Sequence, residues 1–272
     1  MVPLLHPSHV NAFDAGFVRQ VLEDILSSGA RIYGITGPQG CGKSTLAAQL
    51  AGAAAARGLR MASVSVDDFY LDHDARQALA REVHPLLATR GPPGTHDVAL
   101  ACDTLDALRA RKAAALPRFD KLTDRRLPRP QWPVLEGADL VVFDGWFLAT
   151  PPQAESELAE PLNALERDED PDGRWRRWCN DTLGRDYPPL WERIDRLLYL
   201  QPPGFEVVPG WRWDQEQALR EADPQRRGMD RTGVDRFVCH FERVTRQAMR
   251  ELPAIADRVV PLDARRRPLT PR

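Results

Sequence analysis

Hydrophobic positions recur every three or four residues early in the chain. Phe13, Phe17, Val18, Val21, Leu22, Ile25 and Leu26 share one face of a helix that ends near Ser28 and Gly29. Residues 31–36 (RIYGIT) then read as a short strand, 45–57 as an alanine-rich helix closed by Gly58, and 61–66 as a strand delivering Asp67 and Asp68 at its carboxyl end. Further on, the pattern predicts a helix over 97–112. A loop follows over 113–133, where Pro117, Pro128, Pro130 and Pro133 interrupt any regular element. An apolar strand over 138–143 ends at Asp144, and 151–190 mixes proline, acids and tryptophan with no strong period, which predicts only short helices. A strand over 194–200, a polar helix over 205–221, a helix over 234–252 and a last strand over 258–262 complete the pattern. Strands alternating with helices predict an α/β fold whose mostly parallel sheet is covered on both faces.

A chain of 272 residues can bury one full core. The expected organisation is a single domain over 1–272, with an irregular or helical insertion near 151–192. A formal net charge of -2 argues against a general binder of nucleic acid or anionic membrane, and a small-molecule partner fits better. Lysine occurs only at Lys43, Lys112 and Lys121, so a lysine inside a motif stands out from the arginine that carries most positive charge. Cys41, Cys102, Cys179 and Cys239 show no metal-binding or redox spacing and read as reduced thiols. The start MVPLLHPSHV lacks a basic segment before an apolar core, and no apolar run approaches the roughly 20 residues of a membrane span. The expected location is cytoplasmic.

The chemistry begins at residues 37–45, GPQGCGKST. Gly37, Gly42, Lys43 and Ser44 satisfy G-x-x-x-x-G-K-[ST] between a predicted strand and a predicted helix, the context that pattern requires. Glycines let backbone N–H groups turn toward phosphate oxygens, and the helix N-terminus adds its dipole. The expected nucleotide cradle is Gly37, Pro38, Gln39, Gly40, Cys41, Gly42, Lys43, Ser44 and Thr45, with Lys43 spanning the β and γ phosphates of ATP and Ser44 placed for Mg²⁺. Asp67 and Asp68 stand where a parallel strand opens toward a ligand crevice. Either could accept a proton from an attacking hydroxyl or hold Mg²⁺ through water, and either could simply cap the next helix. Asp144, at the end of Leu140-Val141-Val142-Phe143, has the pattern of an acid that orients Mg²⁺ near Ser44.

Together these residues resemble the P-loop small-molecule kinases, a group that includes uridine kinase, phosphoribulokinase and bacterial pantothenate kinase. Within it the chain is similar to the D-glycerate 3-kinase branch. The run from Val66 to Leu71, then Arg90-Gly91-Pro92-Pro93-Gly94-Thr95-His96-Asp97, then Pro117-Arg118-Phe119-Asp120-Lys121 carry that likeness. So do Pro161 to Glu166, Trp211 to Glu216, and Gly228-Met229. The resemblance implies a P-loop NTPase of three α/β/α layers with a helical lid near 205–232. It also implies ATP and Mg²⁺ as cofactors, Asp67 as catalytic base, and D-glycerate as acceptor with 3-phosphoglycerate as product. One position departs: the branch has Phe-Glu-Gly-Trp where this chain has Phe143-Asp144-Gly145-Trp146, an arm shorter by one methylene, which leaves direct and water-mediated metal contact both open.

A small hydroxy acid needs cations to offset its carboxylate. Arg90, Arg118 and Lys121 offer them, with Asp68, Tyr70, His96, Asp97 and Asp120 close by in sequence as further acceptor-site candidates. The alternative is a loop locked by structural ion pairs. In the lid, Arg212, Arg220, Arg226 and Arg227 are candidates to reach the transferring phosphoryl group, Arg212 first among them, against a solvated arginine face. Trp211 and Trp213 read as packing residues, and Arg265-Arg266-Arg267 as a solvated tail. The rival functions are a kinase for a nucleoside or pantothenate, and an ATP-binding regulatory switch with no small acceptor.

Overall fold

A computed structural model describes residues 12–223 and 228–269. In chain order the elements are α1 (Ala15–Ser28), β1 (Ile32–Thr36), α2 (Lys43–Ala55), β2 (Met61–Ser65), α3 (His73–Glu82) and α4 (Val98–Arg109). Four two-residue strands follow, β3 (Ala114–Ala115), β4 (Phe119–Asp120), β5 (Arg125–Arg126) and β6 (Val134–Leu135), and then β7 (Leu140–Gly145). The remainder is α5 (Ala164–Glu169), α6 (Arg174–Asp186), α7 (Pro188–Trp191), β8 (Arg196–Gln201), α8 (Val208–Ala222), α9 (Arg231–Ile255) and β9 (Arg258–Pro261).

Five strands form a sheet in the order β2-β7-β1-β8-β9, and every pairing in it is parallel. Alternate residues of each central strand enter opposite cores. Val141 and Phe143 of β7, with Leu197 and Tyr199 of β8, face one apolar cluster that includes Leu105 of α4 and Leu252 of α9. Leu140 and Val142, with Leu198 and Leu200, face the other, against Val21 and Leu22 of α1 and Leu46 and Leu50 of α2. A strand buried on both faces must read as an unbroken apolar run, which is why these strands are legible in the sequence. Their carboxyl ends open on one edge of the sheet. Among the described residues, no helix is long and apolar enough to cross a membrane.

Two expectations are corrected. The 151–190 segment carries a regular 13-residue helix, α6, whose buried face is Trp175, Arg176, Cys179, Thr182 and Leu183; an arginine and a threonine on the inward stripe erase the hydrophobic period. Arg265 and Arg267 are exposed as expected of a solvated tail, but Arg266 is not: its guanidinium lies over the Trp211 ring and pairs with Asp214 at 2.7 Å. The expectation of loop over 113–133 holds apart from β3, β4, β5 and a short 3₁₀ turn, Arg129–Gln131.

Two buried ion pairs fasten the 151–192 segment, one to α9 and one within the segment itself. Glu166 accepts two bonds from the Arg243 guanidinium of α9, at 2.7 and 2.6 Å, and Arg243 also donates to the carbonyls of Glu157 and Glu160. Asn163 caps α5 and donates to the Cys239 carbonyl, so the Pro161 to Glu166 motif is an anchor. Asp170 and Arg176, both buried, form a second pair at 2.9 Å. Removing one partner of such a pair strands the other charge. Glu166→Ala should therefore lose about 3–5 kcal/mol of unfolding free energy in urea titration, and a loss below about 1 kcal/mol would show that the insertion is held by other contacts.

Candidate active site

The turn after β1 folds as it does because of its glycines. Gly40 sits at φ 75°, and a Cβ there would come within 2.5 Å of the Trp211 carbonyl oxygen, so the loop and α8 approach as closely as they do only without a side chain. Gly42, at φ 104°, starts α2 with no side-chain cap, which leaves the first N–H groups of that helix for another acceptor. The Lys43 ammonium donates to the carbonyls of Gly37 at 2.7 Å and Pro38 at 3.0 Å, and is held over the loop. Cys41 is fully buried in the core under the loop, and burial pushes its thiol up.

A cavity of about 720 Å³ runs from this loop along the carboxyl edge of the sheet. Its floor is Ser65, Asp67, Asp68 and the segment from Asp144 to Trp146. One wall is Arg212, Gln215, Glu216, Met229, Phe237 and Phe241. The other wall is Arg76, Arg90, Phe119, Lys121 and Asp124. Strand register makes the floor: Ser65 lies beside Asp144 across β2 and β7, and the Ser65 hydroxyl donates to Asp144 at 3.2 Å. Burial pushes the Asp144 carboxyl up to about 7, with Asp67 and Asp68 adding to the rise against the opposing Lys43.

The two acids after β2 have different surroundings. Asp68 accepts from the Ser65 backbone N–H at 3.1 Å, closing the 3₁₀ turn Val66–Phe69, and pairs with Arg118 at 3.3 Å; burial raises its pKa. Asp67 accepts from Lys121 at 2.6 Å. Burial would raise the Asp67 pKa, but Lys121, the Tyr70 hydroxyl and His96 outweigh it and hold the carboxyl well below its ordinary range.

Of the residues expected at the site, Gln39, Gly40, Gly42, Lys43, Ser44, Thr45, Asp67, Asp68, Tyr70, Arg90, Lys121, Asp144 and Arg212 line the cavity. Gly37, Pro38 and Cys41 shape the loop beneath it. Four acceptor candidates do not line it and carry structural bonds. His96 is buried one layer behind Tyr70, its Nδ1 2.7 Å from the Tyr187 hydroxyl, and burial lowers its pKa to about 4. Asp97 caps α4 and pairs with Arg126 at 3.0 Å. Arg118 serves Asp68, and Asp120 closes the β4–β5 turn by accepting from Leu122 N and Thr123 Oγ.

On α8, Arg212 pairs with Glu216 at 2.9 Å over the Phe237 ring, and Glu216 also accepts from Met229 N. Arg220 lies over Trp213 and donates to the Met229 carbonyl; Arg226 and Arg227 fall outside the described residues. Trp211 packs, as expected, with its indole N–H on the Ala264 carbonyl. Sequence reasoning missed Ser65, Arg76, Asp124 and Glu216. Glu216 lies inside a motif already noted and Ser65 directly before one, whereas Arg76 and Asp124 carry no local signal in an arginine-rich chain.

No family model matches the chain. It is 31% identical over 226 residues to the uncharacterized kinase mug58 of Schizosaccharomyces pombe, covering 77% of this chain and 78% of that protein. It is 32% identical over 222 residues to the chloroplastic D-glycerate 3-kinase of Arabidopsis thaliana, but there it spans 46% of the relative's length. The fold superposes on the solved structure of a D-glycerate 3-kinase from Cryptococcus neoformans with a TM-score of 0.77 at 25% identity, covering 94% of this chain and 99% of that one. These likenesses, with a phosphate loop and a carboxylate in one cavity, identify an ATP-using kinase that acts on a hydroxyl group of a small molecule. The chain belongs to the kinase family of mug58, and in sequence and fold it is similar to the plant and fungal D-glycerate 3-kinases.

Proposed function

We propose that the chain transfers the γ-phosphoryl group of ATP to D-glycerate, giving 3-phosphoglycerate. The observation that carries this reading is the set of groups lining one cavity: a phosphate cradle, the Asp67 carboxylate with Lys121 on it, and the Arg90 cation. Those cations suit a carboxylate-bearing acceptor better than an uncharged nucleoside. The names of the plant and fungal relatives point to the same substrate.

The N–H groups opening α2 and the Lys43 ammonium would neutralise the phosphate chain. Ser44 and Asp144 fit Mg²⁺: both offer hard oxygen ligands to the same cavity, and Asp144 is a buried carboxyl with an upward-shifted pKa that a cation would relieve. Bound there, Mg²⁺ would supply charge neutralisation for the phosphates. Asp67 stays ionised at neutral pH, so it orients the acceptor hydroxyl and takes its proton late, as the nucleophile commits. Lys121 holds that carboxylate in place. Arg212, kept on the opposite wall by Glu216, is assigned to the charge that develops on the transferring group. Catalysis rests on positioning and electrostatics. The free thiols at Cys41, Cys102, Cys179 and Cys239 support a cytoplasmic setting.

The substrate test is ADP release from Mg·ATP with D-glycerate, L-glycerate, uridine, cytidine and pantothenate, the product identified by mass. D-glycerate should stimulate turnover and give 3-phosphoglycerate, and stimulation by uridine or pantothenate instead would replace this assignment. Asp67→Asn should cut kcat by about 10²- to 10⁴-fold while leaving the KM for ATP near wild type; retained turnover would remove Asp67 from the base position. Lys121→Met removes the charge that favours ionised Asp67, so its pKa rises. The acid limb of kcat/KM should then move to higher pH than in wild type, and an unmoved limb would separate Lys121 from the base.

A further inference from the structure

On the wall of the cavity that carries Arg90 and Lys121, the hairpin joining β4 and β5 places Asp124 between two arginines from elsewhere in the chain. Arg76, the single buried residue of α3, donates to the Asp124 carboxylate at 2.6 Å and to its carbonyl oxygen at 3.0 Å. The rest of that guanidinium is committed as well: Nε donates to the Leu71 carbonyl at 3.1 Å and Nη1 to the Ala88 carbonyl. Arg76 is only 1% exposed. Its contacts leave it little capacity for a ligand, and they fix Asp124 in place.

Arg90 is bound differently. Its Nη1 donates to the other carboxylate oxygen of Asp124, and the guanidinium lies over the Phe119 ring, 5.7 Å from the centroid. With 23% of its side chain exposed, Arg90 presents the remaining edge of its planar fork to the cavity. Asp124 itself adopts φ 57°, a left-handed conformation that aspartate and asparagine tolerate better than other side chains. His73 Nδ1 lies 3.2 Å from the same carboxylate. Backbone strain held in place by a buried arginine marks a conformation that the surrounding structure enforces.

We propose that Asp124, anchored by Arg76, is a positioning residue that presents Arg90 to the carboxylate of the acceptor and so selects hydroxy acids over uncharged alcohols. Arg76 and Arg90 share the one Asp124 carboxylate, while Lys121 with Asp67 and Arg118 with Asp68 are paired one to one and Asp120 is turned to Leu122 N and Thr123 Oγ. Of the two arginines on Asp124, Arg90 keeps hydrogen-bonding capacity for a carboxylate. A planar guanidinium held at one nitrogen and stacked on an aromatic ring binds a carboxylate at its other edge without paying the entropy of ordering a long side chain. The inference rests on the hydroxy-acid reading of the same cavity.

The test compares D-glycerate with D-glyceramide, its uncharged amide, in wild type and in Asp124→Asn. Asparagine accepts the left-handed backbone, and Asp124→Gly is the second variant should the first fold poorly. The KM for D-glycerate should rise about tenfold or more in the variant. The KM for ATP, and the KM or inhibition constant of D-glyceramide, should change less than about twofold. Parallel losses on acid and amide, or no change on either, would overturn the proposal and leave the glycerate assignment standing. If wild type phosphorylates another carboxylic acid, the glycerate assignment falls and the same comparison decides the role of Asp124 on that acid and its amide. Turnover of uncharged acceptors alone would overturn both.

Discussion

Thr36, the last residue of β1, sits beside Gly145 of β7, and Asp144 sits beside Ser65 of β2. That register of three parallel strands sets the floor of the cavity. The phosphate loop leaves β1, the buried carboxylate ends β7, and the two acids of the 3₁₀ turn follow β2, so three distant parts of the chain deliver their groups at one level. Because side chains alternate with a period of two, a slip of one residue would exchange the groups facing the two cores and break the apolar packing on both faces. The chemistry inherits its precision from that packing.

Charge in this molecule has two uses, and burial separates them. Arg243 with Glu166, and Arg176 with Asp170, are sunk in the protein and fasten the insertion to α9 and to itself. Arg118, Asp97 and Asp120 hold the loops that flank the cavity without lining it. Arg90, Lys121 and Arg212 face the cavity and keep a counter-ion each, so their orientation is set before any ligand arrives. Pre-oriented charge of this kind needs little reorganisation on binding, which is where electrostatic catalysis gains its advantage over water.

The Asp67 site shows how the two uses meet. Its carboxylate is kept ionised by Lys121 from the β4–β5 hairpin, and Tyr70 behind it packs on the buried His96, which in turn is held by Tyr187 of the segment between α6 and α7. His96 thus packs behind Asp67 although it does not line the cavity. Residues that the resemblance grouped as one acceptor set therefore divide into a layer facing the cavity and a layer behind it.

Much of this was legible from the chain alone. The apolar runs of β1, β7 and β8 announce a doubly covered parallel sheet, and a glycine turn between strand and helix announces a phosphate cradle, because both signals are local and periodic. The family likeness ran through the same local motifs. What the sequence could not determine was which charged residues face the cavity: Arg76 and Asp124 lie 48 residues apart and meet only because α3 and the hairpin pack together. Nor could it reveal α6, whose inward stripe includes Arg176 and Thr182, polar groups that are buried only because the insertion folds over them. Local backbone preference and hydrophobic period are written residue by residue. The partner of a charge, and hence whether it serves structure or substrate, is decided by three-dimensional packing between segments that the linear order keeps apart.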